Sequence, residues 1–181
     1  MMRKKQAIIS TAERLFYTNG FHATSTDRIC SEAGVSTRTL YRYFPSREAL
    51  TAAVMTERDD RFFQALLPPQ EPEAIGQLFR VLGQWMEEQG SMGCFFLKAW
   101  GEYAGQDVML SAQALGHRYR MREYIASSIR HCSGSGSASL ADAVWMLFEG
   151  AVTSALIIGP VAALRAGEAA AQLVAGAGEP S

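Results

Sequence analysis

Thr37, Arg38, Tyr41 and Arg42 lie within six residues of one another, and Arg47 follows shortly after. All five carry side-chain hydrogen-bond donors. An arginine fork matches the O6 and N7 of a guanine, and hydroxyls or guanidinium groups can hold phosphate oxygens. Donors do this only if something presents them together. The spacing predicts a short helix, Thr37 to Phe44, that buries Leu40 and Phe44 and turns Thr37, Arg38, Tyr41 and Arg42 elsewhere. Ser36 can cap that helix, Pro45 halts it, and Ser46 caps the next one. A preceding short helix has Ile29 and Ala33 on its inward face. Its start carries Thr24 three residues before Asp27, the spacing of a capping box. Gly34 allows the left-handed stop, and Val35 plugs the corner. Two short helices with a tight turn between them, the second rich in donors, read as a helix-turn-helix shaped for a DNA major groove.

Further residues fit around this motif. Ala12, Leu15 and Phe16 precede Gly20-Phe21, Thr24-Ser25 and Ile29. Ala33-Gly34-Val35-Ser36, Leu40-Tyr41, Tyr43-Phe44, Arg47 and Leu50 follow. With this text, residues 6–55 resemble the DNA-binding domain of the TetR/AcrR family of bacterial transcriptional regulators. The family usually has His-Phe where Tyr43-Phe44 stands and often Lys in place of Arg47; both changes keep a donor. The resemblance implies that Thr37 and Arg38, on the first turn of the recognition helix, are base readers, with Arg42 beside them. Ser25, Thr39, Tyr41, Tyr43 and Arg47 are placed as phosphate clamps, and Ser36 joins the DNA-binding set. Free N–H groups at the start of its helix help Arg47 hold an anion.

The charge distribution agrees. Residues 1–47 hold eight basic side chains against three acidic, a net of +5, so the remainder carries −6 within the total of −1. A basic head on an acidic body is an electrostatic footprint confined to the motif. Arg3, Lys4 and Lys5 add mobile charge near a duplex. Arg14 and Arg28 read as solvated surface charges. Apolar residues at 48% and charged ones at 19% describe an ordinary globular chain. The three cysteines, Cys30, Cys94 and Cys132, have no metal-site spacing and suit a reducing cytoplasm. Arg3-Lys4-Lys5 leads straight into an amphipathic pattern, so no signal peptide is expected. The run Ala151–Ala163 is broken by Thr153, Ser154 and Gly159-Pro160 and reads as too short to cross a bilayer. A cytoplasmic chain with no membrane partner is the expectation.

No strand-like alternation persists, so the predicted fold is all-α: an amino-terminal three-helix domain with the helix-turn-helix, and a larger carboxy-terminal helical domain for ligand binding and dimerisation. The division is 1–50 for the DNA-binding head, 51–176 for the regulatory body and 177–181 for a tail that frays. Ile8, Ala12, Leu15 and Phe16 mark a first helix over 3–18, ended by Asn19-Gly20. Ser46 opens a helix to about Leu67, and Pro68-Pro69 and Pro72 mark a loop. Helices are then expected from Ile75, over about 94–104, over 107–131, around 140–158 and over 161–174. Ser133-Gly134-Ser135-Gly136-Ser137 reads as a flexible loop. The helix with Leu140, Val144, Leu147, Ala151 and Ala155 on one face and Trp145, Phe148 and Val152 on another is apolar nearly all round, which predicts burial on more than one side.

One recognition helix reads few base pairs, so a homodimer on a palindromic double-stranded operator is expected, its heads about 34–36 Å apart. Leu147, Gly150, Ala151, Ser154, Ala155 and Ile158 are the candidate dimer contacts, small enough for close helix approach; the family's use of its last two large helices agrees. The resemblance also implies a pocket for a small apolar or aromatic effector and a repressor released when it is filled. Candidates for its wall are Trp85, Phe96, Trp100 and Tyr103, with Tyr119, Trp145 and Phe148. Cys94, after a glycine at a helix start, offers an alternative regulation by oxidants or electrophiles. A regulator or protein adaptor with no ligand response is the other alternative. His22, His117 and His131 are dispersed, carboxylates fall on faces read as exposed, and no catalytic, metal or cofactor motif is present, so no enzyme and no cofactor are expected.

Overall fold

The computed structural model describes residues 2–133 and 138–177. The expected glycine-serine loop and frayed tail therefore lie outside the described residues, apart from Ser133 and Ala177. Among the described residues the elements are helices α1 (Met2–Asn19), α2 (Thr26–Ala33), α3 (Thr37–Tyr43), α4 (Arg47–Gln64) and α5 (Ala74–Gln89), then α6 (Phe95–Tyr103), α7 (Val108–Ser133), α8 (Ala138–Ile158) and α9 (Val161–Ala177). They form two compact units. The first comprises Met1–Arg61 with Phe95–His117, and the second Phe62–Cys94 with Arg118–Ser181. The unit that carries the helix-turn-helix thus takes in α6 and the start of α7 as well.

In the first unit, Ile8, Ala12, Leu15 and Phe16 are fully buried along one face of α1, as their spacing predicts. Gly20, at φ +93°, ends the helix with its N–H on the Phe16 carbonyl at 3.0 Å. Phe21 then folds back and stacks on Phe16 with ring centroids 4.9 Å apart. The expected capping box is corrected here. The residue that caps α2 is Ser25, whose Oγ accepts from the Arg28 N–H at 3.1 Å. Thr24 is fully buried, and its hydroxyl donates instead to the carbonyls of Gly20 at 2.8 Å and Leu15 at 3.3 Å. Buried at the end of α1, that hydroxyl is satisfied by these two carbonyls and is not available to the start of α2. Gly34, at φ +64°, closes α2 with its N–H on the carbonyls of Cys30 and Ser31.

The expectation that carboxylates lie on exposed faces fails at Glu13. This side chain is buried and is held by Arg58 and by Arg61, the latter at 2.7 and 2.9 Å. Arg58 is buried too, its guanidinium 5.0 Å from the Tyr17 ring centroid and 4.8 Å from that of Phe95. Two cations on one buried anion, with aromatic faces around them, tie α1 to α4 within the core.

The second unit packs α5, α8 and α9 around Leu78, Phe79, Leu82, Val144 and Phe148. On α9 the buried face is all alanine: Ala162, Ala163, Ala166 and Ala170. A Cβ on Gly167 would come within 2.8 Å of Phe79 Cβ, so glycine at this position is what lets α9 lie so close to α5. The run Ala151–Ala163 is broken between α8 and α9 at Gly159-Pro160, as expected, but α8 as a whole spans 21 residues with a mean hydropathy of 1.5 over its most apolar window, long enough for a bilayer by length and composition alone. Its acidic residues are paired, Asp142 with Arg122 at 2.6 Å and Glu149 with Arg118 at 2.7 Å. In the single chain α8 is buried along one side only: Met146, Leu156, Ile157 and Ile158 are exposed, with Ile157 at 88%.

The buried ion cluster yields a stability test. Glu13→Ala removes the buried anion shared by Arg58 and Arg61 and is expected to lower the unfolding free energy by about 3–5 kcal/mol. Arg14→Ala, at the surface, should change it by roughly 0.5 kcal/mol or less. Urea denaturation followed by circular dichroism measures both; equal effects would remove the cluster as a tie.

Candidate nucleic-acid interface

Helix α3 has seven residues, too few to hold a helix by themselves. Three devices fix it. Leu40 is fully buried and Phe44 nearly so. Ser36 Oγ accepts from the Thr39 N–H at 3.2 Å and bonds the Thr39 hydroxyl at 3.0 Å. The Phe44 N–H closes the end on the Leu40 carbonyl at 2.9 Å. With this face anchored, Thr37, Arg38, Tyr41 and Arg42 are left exposed together on the other, as the spacing predicts. The Arg42 guanidinium lies 5.2 Å from the Tyr43 ring centroid, which orients both toward the same side. Ser46 caps α4 as expected, accepting from the Ala49 N–H at 3.1 Å.

Other members of the expected set hold the domain together. Ser25 and Ser36 spend their hydroxyls as helix caps, and Thr39 is engaged with Ser36. Arg47 turns inward, donating to the Phe21 carbonyl and lying over the Phe16 ring at 5.6 Å. Arg14 and Arg28, read as plain surface charges, converge on Glu32 at 2.5 and 2.9 Å. Hydrogen bonds from Arg14 and then Arg28 hold the Glu32 carboxyl below its usual range. Arg3, Lys4 and Lys5 are exposed on the first turn of α1, with Lys5 Nζ 6.0 Å from the Phe44 ring centroid.

The residues expected to wall an effector pocket divide between the units. In the first, Phe96 is buried and stacks on His117 at 3.8 Å, Trp100 is exposed, and Tyr103 packs on Phe21 at 5.7 Å. Burial pushes the Tyr103 phenol up. In the second, Trp85 meets Phe62 edge-on at 5.3 Å, and Phe148 meets Phe62 at 6.3 Å and Phe79 at 6.4 Å. Trp145 packs against this cluster from its edge, while Tyr119 is 70% exposed. Glu149 is a second carboxylate misread as exposed; burial pushes its carboxyl up, and the Arg118 guanidinium pulls the other way. The second unit also has an open groove of about 700 Å³ between α5 and α9, floored by Phe79, Gly83 and Gly167. No expected pocket residue lines it. Glycines on both helices line this groove, and missing side chains leave no signal of the kind that large aromatic residues give.

Of the expected dimer contacts, Gly150, Ser154 and Ile158 are exposed and Leu147 is half-buried. Ala151 and Ala155 are turned into the unit's own core. The exposed stripe of α8 also includes Met146, Thr153 and Ile157, which the sequence reading passed over. Cys94, half-buried and in no disulfide, lies immediately ahead of α6.

A helix-turn-helix head continued by a helical body defines a class of DNA-binding regulator. Residues 8–54 match the family model described as bacterial regulatory proteins, tetR family. The regulator RutR of Escherichia coli K12 is 48% identical over 54 residues, covering 30% of this chain and 26% of that protein. The chain spans between 23% and 33% of the length of the curated relatives it matches. A TetR-family transcriptional regulator from Streptomyces coelicolor has a similar fold, with a TM-score of 0.88 at 22% identity over 99% of this chain and 98% of that one. A transcriptional regulator from Saccharomonospora viridis, solved in complex with choline, has a TM-score of 0.73 at 18% identity, covering 97% of each chain. Residues 8–54 thus form a DNA-binding domain of the tetR family type, and the chain as a whole has the fold of solved regulators of that family.

The surface on α3 predicts a split between exposed arginines. Arg38→Ala should cost about 1–3 kcal/mol in affinity for a duplex selected by the wild-type chain and relax the preference at the bases it reads. Arg14→Ala, committed to Glu32, should leave that affinity unchanged. Fluorescence anisotropy at fixed salt compares them, and equal losses would refute the assignment.

Proposed function

We propose that the chain is a homodimeric repressor that binds a palindromic operator through α3 and lets go when a small molecule occupies its carboxy-terminal helices. The observation that carries the reading is the two-sided α3: one face sunk in the core, the other presenting Thr37, Arg38, Tyr41 and Arg42. In this reading the head at 1–50 reads DNA and the body at 51–176 regulates and dimerises. Ser25, Ser36 and Thr39 act on DNA by shaping the helices that carry the readers, and Tyr43 and Arg47 flank the contact. A regulator of this kind works in the cytoplasm.

The dimer would join α8 and α9 to those of a second copy. Support comes from a stripe at helical spacing on α8, Met146, Gly150, Thr153 and Ile157, with Leu164 exposed on α9. A small residue at the middle of such a stripe lets two helix backbones approach. For the effector, the aromatic cluster of the second unit offers Trp85, Trp145 and Phe148 as the wall, and the choline-bound relative supports a fold of this shape holding a small organic molecule. Release requires the effector to favour the conformation that does not bind DNA, since only differential affinity moves the equilibrium.

Selection of duplexes from a random-sequence pool tests the reading directly: the expected product is a palindrome with half-sites about one helical turn apart. Light scattering after size exclusion gives the assembly. The 19.8 kDa chain is expected to run as a dimer at micromolar concentration. Ile157→Glu should make it a monomer and abolish selective DNA binding with it. A wild-type monomer under these conditions overturns the dimer.

A further inference from the structure

The turn between α1 and α2 is gripped from outside the helix-turn-helix. Two consecutive backbone N–H groups, those of Phe21 and His22, donate to the two carboxylate oxygens of Glu102 on α6, at 2.8 and 2.6 Å. The same carboxylate meets His22 Nδ1 at 2.9 Å. The carbonyl of Phe21 is taken as well, by Arg47 at the start of α4. Gly20 makes room for this arrangement: a Cβ there would stand 3.0 Å from Glu102 Oε1. Around the carboxylate, Tyr103 packs on Phe21 and on His22, at 5.7 and 4.9 Å, and Lys98 Nζ donates to the Tyr17 carbonyl at 3.2 Å.

The geometry points to Glu102 as a positioning residue for DNA recognition, acting through the α1–α2 turn on the placement of α3 without touching the duplex. The assignment rests on the operator-binding reading above. The path is short and covalent. Glu102 fixes residues 21 and 22, the buried Thr24 hydroxyl fixes the next step back to α1, and α2 and α3 follow within the same tight motif. Bonds to a charged acceptor are roughly twice as strong as neutral ones, so this carboxylate dominates the turn's anchoring. Reading bases needs side chains held within about 0.5 Å and 10–20°. Non-specific binding needs only charge near phosphate. Loss of the anchor should therefore cost selectivity and spare the electrostatic term.

The test uses the full chain with Glu102→Ala and Glu102→Gln, and Leu97→Ala on the exposed side of α6 as a control. Amide hydrogen exchange should accelerate roughly tenfold or more at Phe21 and His22 in Glu102→Ala, with core amides of α8 unchanged. Glu102→Gln, which keeps one acceptor oxygen, should fall between it and wild type. Affinity for a duplex selected by the wild-type chain should drop roughly tenfold or more, while affinity for random duplex at the same salt stays within about twofold. Wild-type exchange at the two amides, or specific and random affinities falling together in step with melting temperature, overturns the role. If Glu102→Ala does not fold, the glutamine variant decides on the same criteria. A wild-type chain that selects no duplex overturns the operator reading and this role with it; intact selection with unaltered exchange overturns this role alone.

Discussion

The first unit is built around one constraint: a seven-residue helix must be both anchored and presented. Such a helix has no stability of its own, because the cost of its first turn is not recovered over so few residues. Its order comes from Leu40 and Phe44 on the inner face and from the Ser36 cap at its start. Each anchor depends on another element. Leu40, Phe16, Phe21 and Ile29 are all fully buried in this unit, and Phe21 reaches Phe16 only because α1 stops at Gly20. Arg47, Thr24 and Glu102 all serve that return.

Much of this was legible in the sequence because the signals are local. Helix periods, the glycine stop at residue 34 and the serines before α3 and α4 each act over three or four residues. What was not legible is what depends on distant partners. Thr24 and Ser25 are adjacent hydroxyls, and only burial against the end of α1 decides which one caps α2. Glu13 and Glu149 look like surface carboxylates until their arginines, Arg58 and Arg118, are brought to them by folding. The groove between α5 and α9 comes from absent side chains, for which a search along aromatic residues has no signal.

Helix α8 shows how composition can mislead in two directions. Its length and apolarity satisfy a membrane span, and the same apolarity suggested burial on several sides. Neither follows. Asp142 and Glu149 are paired with arginines of α7, a costly arrangement in hydrocarbon. The face with Ile157 is bare in the single chain, while Ala151 and Ala155 face the core. One side of α8 is packed within the unit through these alanines, and the other is the apolar face that the proposed dimer would cover.

The charges of the head bear on how it would separate binding from reading. Counted along the sequence, residues 1–47 carry a net +5, yet the structure engages several of these cations within the head itself. Arg14 and Arg28 share Glu32, and Arg47 is turned onto Phe21 and Phe16. What remains outward is Arg3, Lys4 and Lys5 on α1 with Arg38 and Arg42 on α3. Few phosphate contacts would give a shallow salt dependence per head and weak non-specific binding. Under the proposed dimer, affinity would come from base contacts made by a well-fixed α3 and from two heads used at once, the second binding event being intramolecular. Fixing the turn at Gly20–His22 and the proposed pairing of two copies through α8 and α9 would then both offset the small number of outward cations.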